Sequence, residues 1–163
     1  MFDPELSTNI ASGDADLPGI LNETRERLNV TRKEADLIPR RNIASLLTPR
    51  WSATGGMAEV LKFGPITGWR FIITTTEDIP STVNAAITGS LPQTVLPQVS
   101  TASVGLANIG RETYAIRREG TTLVLSKLDG TAFSLSSGSQ VRSIFTSWSD
   151  VRGVESQYPG TPA

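Results

Sequence analysis

The 163-residue chain contains no cysteine and no histidine. Without cysteine there are no disulfides, no thiolate nucleophiles and no thiolate metal sites, and the redox compartment is left open. Without histidine the chain lacks the commonest general base near neutral pH and the commonest metal ligand. A Ser-His-Asp triad, a Cys-His pair and a histidine zinc site are therefore excluded. An enzyme built on this chain would have to work through carboxylates, lysine, tyrosine or serine. Long apolar runs are missing too: none approaches the ~20 residues that a membrane-spanning helix needs. The acidic start, Met1-Phe2-Asp3-Pro4-Glu5, has neither the basic n-region nor the apolar h-region of a secretory signal. These absences predict a soluble, non-enzymatic chain with no cofactor and no membrane partner.

What is present suffices for one ordinary domain with an appendage, since 38% of the residues are hydrophobic. The net charge of −1 hides an uneven distribution. Residues 1–24 carry five acids and no base, and residues 25–50 carry seven basic residues against three acids. The remainder is balanced. The basic group comprises Arg25, Arg27, Arg32, Lys33, Arg40, Arg41 and Arg50. It lies interleaved with acids and without an aromatic ladder, so a solvated helix face, or ion pairing to an acidic neighbour such as residues 1–24 of another copy, is favoured over nucleic acid. With Trp51, which follows Pro49 and Arg50, these residues are the candidate interaction set.

Residues 1–50 read as an extended arm. The first nineteen are rich in Asp, Ser, Gly and Pro with isolated Phe2, Leu6, Ile10 and Leu17, too sparse to offset the entropy of ordering. Short helices are expected over Pro18–Asn29, from a capping-box pattern at Thr31–Glu34 until Pro39, and over Ile43–Leu47 capped by Asn42. Helices of this length need a partner surface to persist.

Residues 51–153 read as a β-rich domain. Trp51–Met57, with Gly55-Gly56, is expected to be a hinge. Glu59–Phe63 and Ile66–Thr76 then form a strand pair broken at Gly64-Pro65, with Trp69, Phe71 and Ile73 on one face. An edge strand is expected near Val83–Thr88, followed by a long Ser/Thr/Pro-rich excursion over 89–108. Glu112–Arg118, Thr121–Leu128 and Thr131–Ser136 read as a three-stranded meander with turns at Glu119-Gly120 and Asp129-Gly130. Two-residue turns would set Ile116 opposite Leu123, Tyr114 opposite Leu125, Ser126 opposite Phe133 and Val124 opposite Leu135. The middle strand is then apolar on both sides, so both faces must be covered.

Val141, Ile144, Phe145, Trp148 and Val151 follow helical spacing, with Ser137 or Ser139 as the cap and Gly153 as the stop. A helix packed through Ile144, Phe145 and Trp148 is the preferred reading, although β-branched and aromatic residues over Val141–Phe145 also suit a strand. Residues 154–163 form a polar tail. The predicted class is thus α+β, mainly β: a small antiparallel sheet, sandwich or barrel, with a C-terminal helix and an N-terminal arm.

No constellation carries chemistry. Glu77-Asp78, the only adjacent acid pair, is expected to solvate a turn rather than divide acid and base roles. Lys62 and Lys127 read as exposed strand lysines that guard an edge. Trp69 and Trp148 are assigned to the core, which leaves Trp51 as the ring available for an exposed contact.

This organisation, together with Gly64-Pro65-Ile66-Thr67-Gly68-Trp69 through Thr76 and Ser147-Trp148-Ser149-Asp150-Val151, resembles small structural proteins of tailed-phage particles: head-to-tail connector, tail-tube and baseplate subunits. The resemblance implies a virion component that forms a homo-oligomeric ring. Its arm (1–50) and loop (about 89–108) would lace onto other copies and neighbouring structural proteins. The competing reading is a glycan- or peptide-binding module using Trp51 and the 89–108 loop.

Overall fold

The computed structural model describes residues 38–98, 103–149, 151 and 157–163. The helices expected over 18–29 and after Thr31, and the residues Arg25, Arg27, Arg32 and Lys33, lie outside them. The described chain is mainly β. Its strands are β1 (Ile38–Asn42), β2 (Trp51–Phe63), β3 (Ile66–Thr75), β4 (Ile79–Thr82), β5 (Asn84–Ala86) and β6 (Ser103–Ile109). They continue with β7 (Glu112–Glu119), β8 (Thr122–Lys127), β9 (Phe133–Leu135), β10 (Gln140–Trp148) and β11 (Thr161–Pro162). Among the described residues nine of these form one curled antiparallel sheet in the order β11-β1-β2-β3-β10-β6-β7-β8-β5, while β4 and β9 form a separate ladder.

The β2–β3 hairpin turns at Gly64-Pro65, with Phe63 opposite Ile66 as the composition predicts. Trp69, Phe71 and Ile73 alternate onto one face and are all but fully buried. The expected hinge at Trp51–Met57 is instead part of β2. Its register against β3 shifts between Ser52 and Met57, and Gly55 takes a φ of 72° that favours glycine. The extra residues bulge out while hydrogen bonding resumes on either side, so the glycine pair bends a strand rather than separating two bodies. Residues 38–50 are likewise tied to the sheet. β1 pairs with β2, and Ala44–Leu46 form a 3-10 turn in which the Asn42 Oδ1 accepts the Ala44 N–H at 2.8 Å.

The predicted C-terminal helix is a strand. β10 pairs with β3 along its whole length, from Gln140 opposite Thr74 to Trp148 opposite Ile66. Its alternation sends Val141, Ser143 and Phe145 inward and leaves Ile144 and Trp148 exposed. The helical spacing arose because apolar residues occur on both faces of one strand, which mixes two period-2 series into an apparent 3.6. Phe145 decides the conformation. Its ring stacks on Trp69 at 6.0 Å, and it occupies the space where a Cβ on Gly105 would meet it at 2.3 Å. Ser143, also inward, donates to the Leu106 carbonyl at 2.5 Å.

The meander exists, but it comprises β6, β7 and β8. Between β7 and β8 the loop is Gly120-Thr121, one position later than predicted, so Ile116 faces Leu125 and Tyr114 faces Lys127. A shift of two preserves the faces: Tyr114, Ile116, Leu123 and Leu125 still line one side and are buried. Ala115, Val124 and Ser126 on the opposite side are buried as well. The expected β8–β9 pairing does not form. The free edge of β8 is taken by β5, with Ala85 opposite Leu125, and β9 pairs with β4 instead. β9 still contributes Phe133 and Leu135 to the core, where Phe133 meets Tyr114 edge to face at 5.3 Å. The first half of the expected excursion also turns inward, placing Leu91, Val95 and Leu96 in the core.

The strand geometry separates two neighbouring side chains that a helix would bury together. Phe145→Ala is expected to cost about 3–5 kcal/mol in urea unfolding, whereas Ile144→Ala stays within about 0.5 kcal/mol. Comparable losses at both positions would restore the helical stripe.

Candidate functional site

Strand alternation gives β2, β3, β10 and β6 a second face, turned away from the core, and the register defines it row by row. Phe63, Ile66 and Trp148 stand side by side, followed by Leu61, Gly68 and Thr146, and then Glu59, Arg70 and Ile144. Leu106 lies on the adjoining β6. Ile144 is 77% exposed, Phe63 57%, Leu106 54% and Trp148 52%, with Leu61 and Ile66 above 40%. Single exposed apolar residues are ordinary, but a contiguous group of six on one sheet face is the kind of surface that marks an interaction site.

Gly68 gives this face its relief. With no side chain between Leu61 and Thr146, the middle of the sheet is lowered, and a Cβ added there would meet the Leu61 Cγ at 3.2 Å. The result is a shallow groove of about 400 Å³ lined by Leu61, Ile66, Gly68, Arg70 and Ile144, with Arg40 and Glu59 at one end. Arg40 approaches Glu59 at 3.8 Å, while the Arg70 Nε is buried without a hydrogen-bond partner. Arg142, further along β10, bonds only the neutral Gln140 Oε1, at 2.7 Å. The face therefore combines an apolar centre with an excess of positive charge.

The interaction residues expected from sequence are dispersed. Arg40 is exposed beside the groove. Arg41 is buried at the β1–β11 edge, where its Nε and Nη2 donate to the Pro159 and Gly160 carbonyls at 2.9 and 2.8 Å. Arg50 pairs with Glu77 at 2.9 Å on the surface. Trp51 is not an exposed contact: it is 4% exposed, and its Nε1 donates to the Ala86 carbonyl at 2.8 Å. Trp69 is core as expected, but Trp148 lies on the outer face and not in the core. The glycine that shapes the groove and the exposed Phe63 and Ile66 had no distinguishing signal beyond lying on the second face of predicted strands, and Leu106 fell in the expected excursion over 89–108 instead of on the strand β6.

Lys62 also departs from expectation. It is not an exposed guard but is 1% exposed on the inner side of β2. Its Nζ donates to the carbonyls of Thr94, Ser149 and Val151 at 2.7, 3.2 and 2.5 Å and stands 5.8 Å from the Tyr158 ring centre. One ammonium thus ties together the inward loop, the end of β10 and the C-terminal segment. Glu77 and Asp78 occupy a bend as predicted, Asp78 accepting the Ser137 N–H at 2.7 Å.

Comparison with protein families, curated proteins and solved structures finds no match to this chain.

Two expectations follow. Lys62→Met keeps the side chain's length but removes its donors, so unfolding free energy should fall by about 1–3 kcal/mol for each carbonyl left unsatisfied, read from chemical denaturation. Tyr114 gives a pH signature. Burial, the hydrogen bond it donates to Glu112 at 2.7 Å, and that carboxylate's charge push its phenol from 10.0 to about 12. A raised pKa means that the unfolded chain loses this proton first. Stability is therefore intact below pH 10 and falls as pH rises toward 12. Tyr114→Phe should flatten that limb of the melting-temperature profile.

Proposed function

We propose that the protein is a non-catalytic structural subunit that works by assembling with copies of itself and with neighbouring structural proteins, as neck and tail components of phage-like particles do. The observation that carries this reading is the exposed apolar face of β2, β3, β10 and β6, with Ile144 77% exposed. Surfaces of this kind are commonly covered by another protein. The resemblance of the whole chain to tailed-phage structural proteins supplies the particle. A particle component of this type needs no nucleophile, metal or cofactor. The part of the 89–108 loop that was expected to reach outward is committed to the core through Leu91, Val95 and Leu96, which leaves the arm and the outer face as the assembling elements. A binding module built on Trp51 is not favoured, because that ring is buried.

The native mass of the full chain tests the reading. Mass photometry and light scattering at micromolar concentration are expected to give a fixed multiple of the 17.5 kDa chain, with a ring visible by negative-stain microscopy. A monomer across the whole concentration range, alone and mixed with particle extracts, would overturn it.

A further inference from the structure

We infer that the outer face of β2, β3 and β10 is the seat of the acidic segment 1–24 of a neighbouring copy. This rests on the assembly reading above and names the surfaces that meet. Charge selects the occupant. Around the apolar centre stand Arg40, Arg70 and Arg142 against the single acid Glu59. Arg40 is 3.8 Å from Glu59, Arg142 bonds a neutral amide, and among the described residues Arg70 has no ion pair and its buried Nε has no hydrogen-bond partner. Two such faces packed on each other would oppose arginine to arginine. A basic partner would be repelled, and a purely apolar one would leave Arg70 desolvated and unpaired. The face calls for apolar side chains interspersed with carboxylates.

Residues 1–24 have that composition. They carry five acids and no base, with Phe2, Leu6, Ile10, Leu17, Ile20 and Leu21 spaced among them. No comparable stretch of acidic charge alone occurs in the rest of the chain: residues 25–50 are net basic and the remainder balances. The connection is long enough: residues 25–37 reach up to about 45 Å when extended. They join the sheet at Ile38, opposite Lys62 on β2, one residue from Phe63 and the apolar row. The groove over Gly68 offers a recess for an aliphatic side chain, with Arg70 lining it and Arg40 at its end. A segment held by apolar anchors plus carboxylate–arginine pairs binds in a salt-sensitive way.

The absence of native cysteine makes the test direct. Single cysteines are placed in the full chain at Ile144, and in separate chains at Phe2, Leu6, Ile10 or Leu17. Each arm variant is mixed with the Ile144→Cys chain and oxidised. At least one mixture is expected to give a disulfide-linked pair of chains at tenfold or more above either variant alone, with the yield falling in 1 M salt. In parallel, Ile144→Glu combined with Trp148→Glu is expected to reduce the native mass to that of one chain. Its thermal unfolding should remain cooperative, because both side chains are exposed. Self-linking of the Ile144→Cys chain as the main product would mean that face meets face. An intrachain link in a doubly substituted chain at high dilution would mean that the arm seats on its own sheet. Either result overturns the inference, as does a preserved assembly in the double glutamate variant, and in all three the assembly reading stands. A monomeric wild-type chain overturns both.

Discussion

The packing of Phe145 over Gly105 sets the parity of the central sheet. The ring lies where a side chain at position 105 would be, so β6 and β10 can approach only with these two residues on the same face, and any substitution at 105 would force them apart. Once Phe145 is inside, alternation leaves no freedom: Val141 and Ser143 follow it inward, and Arg142, Ile144, Thr146 and Trp148 go out. The same contact aligns β10 with β3, where Phe145 opposite Trp69 builds the aromatic stack at the middle of the core. The outer face is thus a by-product of the inner one. Its composition could vary without changing the fold, so the six large apolar side chains there are not required by the packing of the core.

The inside of the curled sheet is closed by material outside the nine-stranded sheet. Leu91, Val95 and Leu96 fill it from the loop, and Phe133 and Leu135 fill it from the small β4–β9 ladder. These pieces make few regular backbone pairings, so their polar groups need other partners. Lys62 meets that need at one point by giving its ammonium to three carbonyls from segments far apart in sequence. Arg41 does the equivalent at the opposite edge with the carbonyls of Pro159 and Gly160. Both cations hold backbone that no ladder holds. Hydrogen bonds to these carbonyls offset part of the cost of burying such long cationic side chains.

Much of the architecture was legible in the sequence where one face was apolar and the other was not. The hairpin at Gly64-Pro65, the inward set Trp69, Phe71 and Ile73, and the two-sided burial of the strand containing Leu123, Val124 and Leu125 follow from period-2 alternation and turn residues. Legibility failed where both faces carried apolar groups. In β10 this produced a false helical stripe and exchanged the assignments of Phe145's neighbours. Turn position was the second weakness: placing the β7–β8 loop at Glu119-Gly120 instead of Gly120-Thr121 moved the register by two while leaving the faces intact. The pairing of β9 with β4 depends on β5 occupying the edge of β8, a competition between remote segments that no local pattern records. For the candidate site, the acidic and basic blocks were visible as charge runs. The exposed apolar face was not, because neither the exposure of Ile144 and Trp148 nor the burial of Trp51 and Lys62 can be read without the sheet order.

The pairing of β1 with β11 brings Arg41 into contact with Pro159, 118 positions away in the chain. Such a contact can close only after the intervening strands have found their places, since the entropy of joining ends so distant is offset only by a sheet already formed between them. The domain therefore belongs to the slowly folding class of non-local β topologies, with times in the millisecond-to-second range. During that interval the apolar strands are open on both sides. A newly made chain is exposed to wrong association until this edge closes, so in crowded synthesis the speed of edge closure decides how much of it aggregates.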